Sequence, residues 1–136
     1  MHWRARVPHP LEYAFLPHTA LSPIPVSFPS SLLPPCEQVI NTELKDKVFQ
    51  HGKVPMWTTT ILENTLKELA QVNGEAAKKG GQKYKYVVNA QLQQNTGSAL
   101  ITATSAYWDK STDSHLCVRW ENEEVQVLVT VFGIAV

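Results

Sequence analysis

The sequence of 136 residues contains only two cysteines, Cys36 and Cys117. One pair cannot build a disulfide framework, so a reducing, intracellular compartment is the default reading. Net charge is absent too, because twelve Lys and Arg balance twelve Asp and Glu. A binder of nucleic acid or of an anionic membrane needs a clustered basic surface, which this balance does not supply. Long hydrophobic runs are also missing. The charge-free apolar stretch Val125–Val136 falls well short of the ~20 residues of a spanning helix. Glycine is missing from the first 51 residues, and after residue 35 proline occurs once, at Pro55.

What is present divides along the same line. Eight of the nine prolines lie in residues 1–35, a stretch whose only Lys, Arg, Asp or Glu residues are Arg4, Arg6 and Glu12. Proline fixes φ, lacks a donor and turns the preceding residue away from helix. Residues 1–35 therefore read as a Pro-rich tail in extended or disordered chain. Its prolines interrupt every apolar run of signal-peptide length. Residues 36–136 read as one domain. At about 100 residues it buries only roughly 60–65% of its unfolded surface, so a partner chain can contribute to its stability.

The periodicity of this domain changes once. Ile40, Leu44 and Val48 recur every four residues, with Val39 and Phe49 widening the stripe, and predict a helix over 37–50 that Gly52 ends. A second helix opens at Pro55, a residue suited to a first turn. It carries Trp57, Ile61, Leu62, Leu66 and Leu69 on its apolar face and fades at Asn73-Gly74. Residues 73–83 read as a polar loop, and the pair Lys78-Lys79 within it lacks the spacing of a phosphate loop. From Tyr84 the period becomes two. Tyr84, Tyr86, Val88, Ala90 and Leu92 mark a first strand, and residues 99–108 a second. Leu116, Val118 and Trp120 mark a third, and Val125, Val127, Val129 and Val131 a fourth that extends toward Ile134. Two helices followed by four strands imply an α+β fold, with the helices on one face of an antiparallel sheet. Trp57 and Trp120 are expected in its core.

The second strand is two-sided. One face offers Leu100, Thr102, Thr104, Ala106 and Trp108, and the other Ile101, Ala103, Ser105 and Tyr107. Neither is clearly core or clearly solvent. Such a strand specifies its register weakly and is suited to exchange between identical protomers. The alternative is an ordinary edge strand.

Catalytic and metal readings find little support. His115 and Cys117 share a strand face, but no further pair with zinc-ligand spacing accompanies them. Asp109 and Asp113 lack the glycine and glutamate of a helix–loop–helix calcium site and are better explained as turn residues and strand-end caps. Arg119, between Cys117 and Glu121, reads as a cross-strand ion pair or a solvated face. No cofactor, metal ligand or catalytic residue is expected.

Several segments together resemble the Tctex-type dynein light chains. They are Trp57-Thr58-Thr59, Lys85-Tyr86-Val87-Val88, Ala106-Tyr107-Trp108-Asp109, Ser111-Thr112-Asp113, Val118-Arg119-Trp120-Glu121-Asn122 and Val131-Phe132-Gly133-Ile134. Their order and spacing cover nearly all of residues 36–136. The resemblance implies two helices on a four-stranded antiparallel sheet, in a homodimer that exchanges the second strand. It implies a non-catalytic dynein subunit that binds the N-terminal region of the dynein intermediate chain, and an adaptor for cargo proteins. It also implies a cytoplasmic, cytoskeleton-associated location, with the ciliary axoneme as a variant. Bound peptide would add as a strand along Leu100, Thr102, Thr104 and Ala106, with Leu116 and Val118 nearby. Ile101, Ala103, Ser105, Tyr107 and Trp108 would form the dimer interface. Three departures leave open whether the motor is cytoplasmic, axonemal or intraflagellar: the length of the 73–83 loop, Pro55 at a capping position, and the tail. The same fold acting outside dynein, or a small enzyme built on His115 and Cys117, are the alternatives.

Overall fold

A computed structural model describes residues 32–136. The tail reading therefore lies largely outside the described residues. Two helices, α1 (Leu33–Leu44) and α2 (Val54–Lys78), precede three strands, β1 (Tyr84–Gln94), β2 (Ser114–Glu121) and β3 (Val125–Ala135). The strands form one antiparallel sheet in the order β1-β3-β2. Both helices pack on one face of it, with α2 against β1 and α1 against β2.

The helix α1 begins earlier and ends sooner than its periodicity predicts. Pro34 and Pro35 occupy its first turn, where the missing N–H groups have no intrahelical partner to lose. Cys36, Ile40 and Leu44, four residues apart, are buried. Beyond Leu44 the helix is stopped from outside its own sequence. Asn122 Nδ2 lies 3.3 Å from the Leu44 carbonyl and 3.2 Å from that of Lys47, donating to both. Val48, expected on the apolar stripe, is left exposed, while Phe49 still packs on the core.

In α2, Trp57, Ile61, Thr65 and Leu69 form the buried line. Of the expected apolar face, Leu62 is only half-buried and Leu66 is exposed. The hydroxyls of Thr58, Thr59 and Thr60 donate to carbonyls one turn back, at 2.9–3.0 Å, so these mediocre helix formers satisfy their own polar groups. The helix runs past Asn73-Gly74 instead of ending there. Asn73 turns its side chain outward to β1, donating to the Tyr84 carbonyl at 3.3 Å and accepting from the Tyr84 N–H at 2.9 Å. The reversal comes at Gly80, whose φ of 74° suits a residue without Cβ.

The last strand in sequence is the middle strand in space. Val125, Val127, Val129 and Val131 of β3 are fully buried beneath the helices, joined by Leu116 and Val118 of β2 and Tyr84 of β1. Trp57 belongs to this core. Trp120, expected there, is only partly buried, one residue from the end of β2. The largest correction concerns the fourth strand: residues 99–108 form no ladder in this chain. With both faces mixed, the segment has no apolar side that the protomer's own core can take. Among the described residues no helix is long and apolar enough to cross a membrane.

Candidate functional site

The face of the sheet away from the helices, together with residues 98–113, forms the candidate site. Registry aligns its outward side chains in cross-strand rows. Val87, Phe132 and His115 share one row, Asn89, Thr130 and Cys117 the next, then Gln91, Leu128 and Arg119, then Gln93, Gln126 and Glu121. The face is thus aromatic and apolar at one end and amide-rich at the other.

Residues 99–107 are all exposed, Ile101 at 93% and Tyr107 fully. The segment is tethered at each end. After β1, Asn95 donates through its backbone N–H to the Glu124 carbonyl and through Nδ2 to that of Asn122, both near 2.9 Å. Gln91 Nε2 donates to Thr102 Oγ1 at 3.2 Å. Between this stretch and the sheet lies a shallow hollow of about 220 Å³, walled by Gln91, Gln93, Arg119, Gln126 and Leu128.

At the other end Trp108 packs against Phe132 and His115, with ring centroids 6.0 and 6.3 Å away. Asp109–Asp113 then ties the segment to the sheet. Asp113, nearly buried, accepts from the backbone N–H groups of Ala135 at 2.9 Å and Asp109 at 3.2 Å. Asp109 Oδ1 accepts from the Ser111 hydroxyl at 2.6 Å and its N–H at 2.9 Å, which holds the carboxyl below the usual range. Turn and strand-end duty describes both aspartates.

The residues expected to bind a partner fall into two groups. Leu100, Thr102, Thr104 and Ala106 lie on the exposed segment, as do Ile101, Ala103, Ser105 and Tyr107. Trp108 at its end is half-buried. Leu116 and Val118 instead point into the core from β2, so that only their strand, not their side chains, is available to a partner.

His115 and Cys117 lie side by side on the outer face. Although Cys117 is exposed, desolvation by the neighbouring side chains of the sheet pushes its thiol up, opposed by a contact from Thr130 Oγ1 at 3.8 Å. That is the reverse of what an activated nucleophile requires. Arg119 is exposed and pairs along its own strand with Glu121 at 3.0 Å. The described residues contain no group of three His, Cys, Asp or Glu side chains placed to hold a metal. Sequence reasoning missed the anchoring amides Asn73, Asn95 and Asn122. Each stands at or beside a turn signal, but its partners are distant in the chain.

The model of the Tctex-1 family matches residues 30–134. A "Dynein light chain Tctex-type" of Drosophila melanogaster is 39% identical over 100 residues, covering 74% of this chain and 83% of that protein. One from Dictyostelium discoideum is 34% identical over 97 residues, covering 71% and 81% respectively. The human "Dynein light chain Tctex-type 3" is 30% identical over 100 residues, covering 74% and 79%.

Proposed function

The chain belongs to the Tctex-1 family, and on that premise we propose that it is a non-catalytic dynein light chain working as a homodimer. Each protomer lends residues 99–108 to its partner as the fourth strand of the partner's sheet. The observation that carries this reading is the segment itself. It has the composition of a strand, yet it makes no ladder and exposes Leu100, Ile101 and Tyr107. Its far end is already docked beside β2 through Trp108. Contiguous apolar exposure of this kind marks an interaction surface.

An extended peptide of the dynein intermediate chain then adds as a further strand on the edge made by Leu100, Thr102, Thr104 and Ala106. Main-chain bonds supply the affinity, at about 0.5–1.5 kcal/mol net each. Two equivalent edges in one dimer hold two chains, and effective concentration strengthens both contacts. Residues 36–136, with α1 reaching back to Leu33, carry this function. The protein works in the cytoplasm on microtubule-based motors and takes cargo proteins as further partners.

Calorimetric titration of the full chain with the N-terminal segment of a dynein intermediate chain from the same organism tests the reading. Saturation at one peptide per protomer is expected. A folded, dimeric protein that takes up no peptide removes the motor assignment, and a folded monomer removes the exchange.

A further inference from the structure

The reversal between α2 and β1 carries a charge distribution that the proposed function does not use. Lys78, Lys79, Lys83 and Lys85 lie close together in the chain, and residues 76–108 contain no Asp or Glu. The other described residues hold six Lys or Arg against eleven Asp or Glu. The even balance of the whole chain therefore hides a segregation, with four cations gathered in one place.

The fold sets them at one end of the molecule. α2 ends at Lys78, Lys79 caps it, and the chain turns back at once. Gly80 N–H donates to the Ala77 carbonyl at 3.1 Å and Gly81 N–H to that of Ala76 at 2.8 Å. Gln82 Nε2 fastens the turn to Val136 at 3.0 Å, and Lys83 and Lys85 follow at the head of β1. All four lysines are exposed, and none pairs with a carboxylate among the described residues.

The acidic groups stand elsewhere or are engaged. Glu121, Glu123 and Glu124 cluster at the hairpin between β2 and β3, which lies beside Gln94 at the other end of β1. An eleven-residue strand at about 3.3 Å per step puts roughly 33 Å between the two ends, about four Debye lengths at physiological salt. At the lysine end, Asp113 accepts from the N–H groups of Ala135 and Asp109, and Asp109 from Ser111. Glu75, one turn before Lys78 and Lys79 on α2, forms no ion pair with either. The negative end of α2 accounts for a cation at Lys78. It does not account for Lys83 and Lys85, which lie beyond the turn.

We propose that this basic reversal docks an acidic peptide segment of a partner protein, a short extended run rich in Glu or Asp. A short run fits because the four ammonium groups come from one tight turn, not from a groove. A single-stranded nucleic acid also wants exposed rings on which bases stack, but Tyr84 is buried and Tyr86 half-buried. A membrane surface wants exposed apolar side chains beside the cations, and residues 78–83 (KKGGQK) have none. Each exposed ion pair is weak alone, so recognition needs several at once and fades with salt. The site is separate from residues 99–108 and does not depend on strand exchange.

Fluorescence anisotropy of the full chain with a labelled octaglutamate peptide tests it, beside an octaglutamine control. Lys78→Gln/Lys79→Gln/Lys83→Gln removes charge from the turn, and Lys45→Gln/Lys53→Gln removes charge elsewhere. All five residues are exposed, so both variants are expected to keep the wild-type circular dichroism and mass in solution. Wild type should bind octaglutamate at low salt, bind it less as salt rises, and leave octaglutamine free. The turn variant should bind about fivefold more weakly or worse, and the control variant as wild type does. Lys79→Glu/Lys83→Glu should lose octaglutamate altogether. The proposal is overturned by wild type that ignores octaglutamate at low salt, by a turn variant that binds it as wild type does, or by a control variant that loses as much. Tighter binding of a thymidine oligonucleotide of equal charge, or of phosphatidylserine vesicles, also overturns it and gives the turn to another polyanion.

Discussion

Asn122 is the side chain on which the meeting of helix and hairpin most depends, and its removal gives a sharp test. Its Oδ1 accepts from the N–H groups of Glu124 at 2.8 Å and Val125 at 2.7 Å, closing the turn between β2 and β3. Its Nδ2 donates to the carbonyl of Leu44, the last residue of α1, and to that of Lys47 in the turn beyond it. Alanine removes all of these bonds at once. At about 0.5–1.5 kcal/mol net for each, and with water able to replace some of them, Asn122→Ala should cost about 2–4 kcal/mol. The loss is not fully hydrated away, because Val125 is completely buried. Asn122→Asp keeps the acceptor but turns a carboxylate toward two carbonyls, so it should recover only part of the loss. Urea unfolding followed by circular dichroism measures both. The midpoint should fall with the slope unchanged. Limited proteolysis should find residues 45–50 cut sooner in both variants, since nothing else described here holds the Lys47 carbonyl. An alanine variant within about 0.5 kcal/mol of wild type would refute the reasoning.

Other outcomes follow from the same structure. Trp57→Ala should lower stability by about 3–5 kcal/mol in denaturant unfolding, because the indole is fully buried at the head of α2. Burial, with the Glu68 carboxylate adding to it, pushes the Cys36 thiol from 9.0 up to about 11. The folded state therefore holds this proton after the unfolded chain has released it. The associated stability is present in full below pH ~9 and is lost as pH rises toward ~11, by about 2–3 kcal/mol. Unfolding free energy measured across that window should decline more steeply in wild type than in Cys36→Ala. Thr104→Pro should leave the protomer's own unfolding midpoint nearly unchanged, because the residue is exposed and outside any ladder. In size-exclusion chromatography with light scattering it should abolish strand exchange, and unaltered dimers would count against the placement.

The fold class, the two helices and three of the strands were legible in the sequence, because each rests on a local period. Trp57, Ile61 and Leu69 repeat at helical spacing, and the four valines of β3 alternate strictly, so burial of one face follows from the chain alone. The same periodicity missed the ends. It carried α1 on to Val48, because nothing near Leu44 in sequence shows that Asn122 will take the helix's last carbonyls. It stopped α2 at Asn73-Gly74, because the partner that uses the Asn73 amide is the backbone of Tyr84. Capping by a residue distant in the chain leaves no local signal.

What the sequence by itself determined is an α+β domain with valine-lined strands, a balance of charge, and a two-faced segment at 99–108. These follow from spacing, charge and side-chain type. Only the tertiary structure decided that β3 lies in the middle of the sheet, that Leu116 and Val118 are turned inward, and that residues 99–108 make no ladder in their own chain. Pairing order and the direction of backbone N–H groups depend on which strands meet, and that is settled by the packing of the whole chain, not by any stretch of it.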